Sequence, residues 1–270
     1  MTIQFAPLHP LLGAEVRGLD LHQPMSDALA QTLRQGLRKH RLLLVRGQPG
    51  LSVQQQVEFT KCFGELYVSR SYKGEMGEQG YYFSNTRTDG QLGTGELSYH
   101  HDHLFNERPC SAAVLYAIEV PPSGSATKFR DSIEMYNRLP DSTKAQAEAV
   151  RCLHVLDYAS VSRTGRVQKS DLSPKALRAW QPLVWSDPQT QARALWLVPL
   201  TTHALDGIDE AAGMALLDTL WAEAETMHDL EYVHQWHTGD ILIWDNLRLS
   251  HARLPFNDAE PRTLRRTTVR

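Results

Sequence analysis

The sequence predicts a mainly β fold with helical inserts, and three observations predict it. Short β-prone runs bounded by turn residues recur from Tyr81 to the C-terminus, while only a few stretches place apolar residues at helical spacing. Neither an internal repeat nor a Ser/Gly-rich linker divides the chain, so residues 1–270 read as a single domain. At 270 residues and 41% apolar content the chain can bury a large core without disulfide staples.

The first quarter reads helix, strand, helix. In SDALAQTLRQGLRKH, Ser26 stands as an N-cap before Leu29, Leu33 and Leu37, which recur every four residues on one helical face. LLLVRG follows as a short buried strand ending at Gly47, and Ser52 with Gln55 forms a capping box for a second helix that closes near Gly64. From Tyr81 onward YYFSN, AAVLYAIEV, ALWLVPL, LEYVHQW, ILIWDN and TLRRTTV read as strands. Between them DSIEMYNRLP, DSTKAQAEAV and IDEAAGMALLDTLWAEAETM carry helical periodicity, and we expect them as inserts packed outside a barrel.

Composition excludes several classes of function. A net charge of −3 offers no global attraction to nucleic acid or anionic lipid. Cys62, Cys110 and Cys152 are widely spaced with no CxxC, so neither a disulfide framework nor a thiolate zinc site is indicated. The longest aliphatic run, Leu42 to Val45, is too short for a bilayer, and MTIQFAPLHP lacks the form of a signal peptide. The expectation is a soluble cytoplasmic protein with a small-molecule partner and neither a nucleic acid nor a membrane; a homo-oligomer stays open. The twelve histidines are the unusual count, because imidazole is the commonest metal ligand.

Their densest cluster is Tyr99-His100-His101-Asp102-His103. In a strand, residues two apart share a face, so His100 pairs with Asp102 and His101 with His103. The first pair, completed by a distant histidine, makes a two-His, one-carboxylate facial triad that leaves positions open on Fe(II). The second fits most of a cupin metal motif, Gly95-(x)5-His101-x-His103-(x)3-Glu107, with Val114 where the closing Gly belongs. The second cupin motif fails, since Asn246, Arg248 and Pro255 occupy its positions around His251. His251 is the distant candidate: in GDILIWDNLRLSHARLPF a turn at Gly239-Asp240, a buried strand and a turn at Asp245-Asn246 deliver it on a short following strand. Beyond it, period-two geometry puts Arg262 and Arg266 on one strand face and Arg265 on the other. Two guanidiniums facing a barrel interior call for an anion, and their fork suits a carboxylate. A solvated basic C-terminus explains that spacing less well.

Together these residues resemble the taurine dioxygenase (TauD/TfdA-type) family of Fe(II)- and 2-oxoglutarate-dependent dioxygenases. The resemblance runs from PLLGAEVRGLDLHQPMSDALAQTLRQGLRKHRLLLVRGQ through FTKCFGEL, LGTGELSYHHDHLF and GSATKF to GDILIWDNLRLSHA and RTLRRTT. It implies a double-stranded β-helix (jelly roll) core with His100, Asp102 and His251 as catalytic iron ligands. It implies that Thr127 and Arg262 hold the far carboxylate of 2-oxoglutarate, and that Arg266 lies where cosubstrate and substrate sites meet. The implied reaction consumes O2, releases succinate and CO2, and hydroxylates an unactivated C–H; desaturation and oxidative cleavage are its variants.

The chain also departs from the family pattern. Tyr99 replaces the usual Trp of W-H-x-D. Ser69 and Glu96 stand where taurine-specific members carry a substrate-binding His and Asn, and Leu200 replaces the aromatic before Thr201-Thr202. Taurine is therefore disfavoured, and an amino-acid-like or other small anionic metabolite is expected. By even spacing Glu96 faces the same way as His100, toward a cationic group on the substrate, and His203 is a candidate pocket residue. His9, His22, His40, His154, His228, His234 and His237 read as structural. The rival enzyme reading is a cupin-type metal-dependent dioxygenase or isomerase that makes no succinate. A binding or regulatory jelly roll, which would consume no oxygen, is the non-enzymatic one.

Overall fold

Local capping works as the sequence reads it. In the computed structural model, which describes residues 3–67, 76, 79–91, 95–156 and 172–270, the Ser26 hydroxyl accepts from Leu29 N at the start of α1 (Asp27–His40). That helix stops where Arg41 enters the left-handed region at φ 64° and donates its N–H to Leu37 O. α2 (Val53–Lys61) opens on the Ser52/Gln55 capping box. Leu33 and Leu37 turn the apolar face of α1 into the core, each burial being worth about 1.5–3 kcal/mol.

Among the described residues the main sheet has eight strands: β1 (Gln4–Pro7), β2 (Ala14–Arg17), β3 (Leu42–Val45), β4 (Tyr81–Ser84), β5 (Gly90–Gln91), β7 (Ala112–Glu119), β15 (Ile241–Asp245) and β17 (Thr263–Val269). Their spatial order is β1-β2-β3-β15-β7-β17-β4-β5, antiparallel except where β2 meets β3 and β4 meets β5. A second sheet, β14-β8-β16-β6, is built from β6 (Leu97–His100), β8 (Thr127–Asp131), β14 (Glu231–His234) and β16 (Leu249–Arg253). The sheets share one core: Leu42, Leu44, Leu115 and Trp244 of the first pack with Phe129 and Leu249 of the second. In the middle of the main sheet, neighbours come from distant parts of the sequence, so the C-terminal β17 runs between β7 and β4.

The remaining elements form an outer layer. β9 (Arg151–Leu156) lies between β10 (Leu177–Pro182) and β13 (Thr202–Asp206), and β11 (Val184–Ser186) pairs with β12 (Arg193–Leu195). α3 (Ser132–Arg138), α4 (Asp141–Glu148) and α5 (Glu210–Thr226) enclose a separate core of Met135, Ala147, Leu183, Leu217 and Leu220. The three predicted helical inserts are thus present and lie beside the sheets. Among the described residues no helix is long and apolar enough to cross a membrane.

Two sequence expectations need correction. ALWLVPL is a strand only through Leu195; Trp196 still donates its N–H to Leu183 O at 2.8 Å, but beyond it the chain runs outside any strand, with the Trp196 indole stacked on Trp185 and donating to Leu247 O at 2.9 Å. Strands β5, β8, β9, β10, β11 and β13 are additional to the sequence reading, and so is the N-terminal pair β1 and β2. β1 and β2 are each only four residues long, and although β2 alternates buried and more exposed positions, β1 does not, so periodicity over so short a span carries little signal there.

Candidate active site

Two segments meet at the mouth between the sheets. β15 ends in a turn closed by the Asp245 carboxylate, which accepts from Leu247 N and Arg248 N at 3.1 and 3.2 Å, and β16 then brings in His251. Opposite it, β6 ends at His100, and Asp102 lies in the following turn. The pairing of His100 with Asp102 therefore arises from a turn, where the sequence reading assumed strand alternation.

Donor atoms of His100, Asp102 and His251 all lie within 4.8 Å of one another, a set that could hold a metal ion. His100 Nε2 is 3.8 Å from Asp102 Oδ1, and His251 Nε2 is 3.4 Å from Asp102 Oδ2. The His100 Nδ1–H donates to Ser98 O at 2.8 Å, which leaves the Nε2 lone pair facing the centre. Burial above all holds both imidazoles below their ordinary pKa, so they are neutral, as ligands must be. Burial pushes Asp102 up, but the Arg266 guanidinium above all, with the His251 and His100 rings beside it, outweighs burial and keeps the carboxyl well below the usual range. Arg266 pairs directly with Asp102. Burial alone would lower the Arg266 pKa, and Asp102 raises it further than that, so both stay charged.

His101 takes no part in this convergence. Its Nδ1–H donates to Asn246 O at 2.6 Å, Ser132 Oγ donates to its Nε2 at 3.1 Å, and burial brings its pKa down to about 4. His103 separates from it because a left-handed φ of 63° turns the chain. Its ring sits edge-on to Tyr67 and Phe105 in the cavity wall. Among the described residues the cupin pair therefore does not form.

The cavity beside the three donors is lined by Arg253, Arg262 and Arg266, with Asp102 as its only carboxylate among the described residues. Arg262 is 3% exposed, and its Nε has no hydrogen-bond partner among those residues. Burial, then the charge of Arg253, brings its pKa down to about 9. Thr127 Oγ1 accepts from the Trp236 indole at 2.9 Å, which frees the hydroxyl hydrogen to point at a ligand. Arg265 faces away, bonded to Gln56 Oε1 and to the carbonyls of Leu51 and Ser52. An excess of buried cation over carboxylate, with a buried Arg262 Nε left without a hydrogen-bond partner among the described residues, fits an anionic cosubstrate.

The substrate expectations fare unevenly. Leu200 and Thr201 line the cavity, with Leu156 and Phe105 adding apolar wall. Glu96 does not reach it. Between β6 and β16, His100 pairs with His251 but Leu97 pairs with Arg253, so a bulge inserts one residue and reverses the parity. Leu97 faces the metal cavity, while Glu96 is exposed in an outer hollow with Ser98, Lys128 and Arg130. A second bulge, at His203 between β13 and β9, coincides with that side chain facing a groove beside Leu205 and Leu217. Ser69 lies outside the described residues. Sequence reasoning missed His103, Arg253, Tyr81 and Phe83 as cavity residues; for Tyr81 and Phe83 the only available signal was strand pairing with β17.

A two-sheet β core carrying two histidines and a carboxylate beside buried arginines defines the class of non-haem iron oxygenases that use an anionic cosubstrate. The family model for the taurine catabolism dioxygenase TauD, TfdA family matches residues 4–268, and the chain belongs to that family and so to the Fe(II)- and 2-oxoglutarate-dependent dioxygenases. It is 29% identical to the alpha-ketoglutarate-dependent 2,4-dichlorophenoxyacetate dioxygenase of Cupriavidus pinatubonensis, covering 100% of this chain and 98% of that one. It is 31% identical to the (S)-phenoxypropionate/alpha-ketoglutarate-dioxygenase of Delftia acidovorans, covering 97% and 93%. Among solved structures it resembles AAD-2 in complex with Mn(II) and N-oxalylglycine, with a TM-score of 0.81 at 27% identity over 100% and 97% of the two chains.

Proposed function

We propose that this chain is one jelly-roll catalytic domain that oxidises an unactivated C–H of a small organic anion with an apolar body. In this reading His100, Asp102 and His251 hold Fe(II), which supplies oxygen activation coupled to decarboxylation of 2-oxoglutarate to succinate and CO2. The observation that carries it is the convergence of these three donors beside Arg262, a buried guanidinium whose Nε has no hydrogen-bond partner among the described residues.

The residues have distinct tasks. Thr127 and Arg262 take the distal carboxylate of the cosubstrate, a charge-assisted pairing that offsets the burial of Arg262. Arg266 keeps Asp102 ionised and fixes its direction. Phe105, Leu156 and Leu200 exclude water and receive the apolar part of the substrate. Two relatives named for aryloxy acids, together with this apolar wall, support an aryloxyalkanoate-like anion over taurine. Incubation with Fe(II), 2-oxoglutarate and a panel of aryloxyalkanoates, other small carboxylates and amino acids tests the proposal. Succinate release stimulated by at least one compound is expected, whereas oxidation that proceeds without 2-oxoglutarate would overturn it.

A further inference from the structure

Two asparagines outside the ligand set make the same kind of contact at the two ends of the site. Asn246, fully buried in the turn between β15 and β16, accepts from Asp102 N through Oδ1 at 2.8 Å. Its Nδ2 donates to Asp102 O at 3.0 Å and to Cys110 O at 2.8 Å. One amide therefore holds both main-chain groups of Asp102. The backbone of Asn246 adds two ties, donating to Ser111 O and accepting from His101 Nδ1. Asn85, just after β4, treats Arg262 alike: its Oδ1 accepts from Arg262 N at 2.9 Å and its own N–H donates to Arg262 O at 3.3 Å. The Asn85 Nδ2 then donates to Glu260 O at 2.8 Å and Asp258 O at 3.2 Å.

In both cases the amide orientation follows from its partners. A flipped side chain would set oxygen against two carbonyls and NH2 against an N–H. Asp102 and Arg262 share a need for such support. Asp102 sits in a turn and Arg262 precedes the first residue of β17, so neither has a strand ladder to fix its backbone. Each also carries a buried charge whose direction matters, and small displacements at such positions are costly for binding.

We propose that Asn246 and Asn85 are separate positioning residues: Asn246 sets the Asp102 end of the metal site, and Asn85 sets the Arg262 end that receives the cosubstrate carboxylate. This rests on the functional reading above and adds that the two ends are held independently. The test uses Asn246→Asp and Asn85→Asp, which keep size and the accepting oxygen but lose the donors to two carbonyls. Mn(II) affinity is measured by calorimetry, N-oxalylglycine affinity at saturating Mn(II), and the geometry of the site by the Co(II) absorption spectrum. Asn246→Asp is expected to weaken Mn(II) by about 10–100-fold and alter the Co(II) spectrum, with N-oxalylglycine changed less than about 3-fold. Asn85→Asp is expected to weaken N-oxalylglycine by about 10-fold and leave Mn(II) affinity and the Co(II) spectrum as they are.

Equal losses of both ligands in both variants, or tight binding of both in both variants, would overturn the inference. If the Asp variants do not fold, Asn246→Ser and Asn85→Ser leave room for a bridging water at the same groups, and their unfolding too would assign these amides to the fold in place of the site. A wild-type protein that binds neither Mn(II) nor N-oxalylglycine would instead remove the functional reading itself.

Discussion

β17 and β6 each bring side chains to one cavity, and they obey strand geometry to different degrees. β17 is seven residues long, fully buried and flanked by β7 and β4 over most of its length. Along it and the residue before it, Arg262 and Arg266 face the cavity while Arg265 faces α2. β6 has four residues, pairs among the described residues with β16 alone, and loses register within them. There alternation misplaces Glu96, and Asp102 reaches the centre through a turn. A ladder on both sides makes period-two reasoning dependable; a short edge strand with a bulge does not.

The largest effects are expected at the β6 end. His100→Ala or Asp102→Ala should weaken divalent metal binding by at least about 100-fold, since changes outside a ligand shell alone cost 10–100-fold. His101→Gln should stay within about 10-fold by calorimetry. Loss of metal from His101→Gln with retention in His100→Ala would reverse the contrast between the two histidines. At the β17 end, Arg262→Met should raise KM for 2-oxoglutarate by about 100-fold, or ~3 kcal/mol, with a much smaller change for substrate. An unchanged KM would remove Arg262 from the cosubstrate site.

Arg266 joins the two ends through Asp102. Arg266→Met leaves a buried carboxylate without its cation and should destabilise the metal-free protein by about 3–5 kcal/mol in urea unfolding. A loss under 1 kcal/mol would show that the two ends are not tied through this pair. A smaller effect concerns the wall behind Thr201. His154 is 0% exposed, its Nδ1 lies 2.8 Å from Thr201 Oγ1, and burial, then His101, brings its pKa down to about 3. Its neutral form is favoured in the fold, so its contribution is complete above the unfolded value near 6.5 and is lost as pH falls toward 3, at up to about 1.4 kcal/mol per pH unit. His154→Phe should flatten the acid side of the stability profile, and identical profiles would contradict this. The smallest effects are expected of Glu96→Gln and His203→Ala, whose side chains face away from the cavity. Less than about 2-fold change in substrate KM is expected, and a 10-fold rise for Glu96→Gln would restore the even-spacing prediction.

Much of this site is legible in the sequence. A cluster as dense as His100 to His103, a second histidine after a WDN turn and two arginines four apart are local patterns whose chemistry survives uncertainty about the path between them. The capping of α1 and α2 was legible for the same reason, because a cap is decided within four residues. What failed was parity near irregular backbone. The bulge in β6, the second bulge at His203 and the left-handed His103 each rotate one side chain, and none leaves a mark in residue type.

Residue chemistry by itself thus determined which groups this protein has for metal and anion, and that its body is β with helical inserts. Only tertiary structure decided which of the clustered histidines joins Asp102 and His251, which arginine keeps a buried Nε without a hydrogen-bond partner among the described residues, and which asparagines hold the charged ends in place. Those outcomes depend on pairing between segments more than one hundred residues apart, such as Asp102 with Asn246 and His100 with His251. Long-range contacts of that kind are fixed by packing of the whole chain, and no local spacing encodes them.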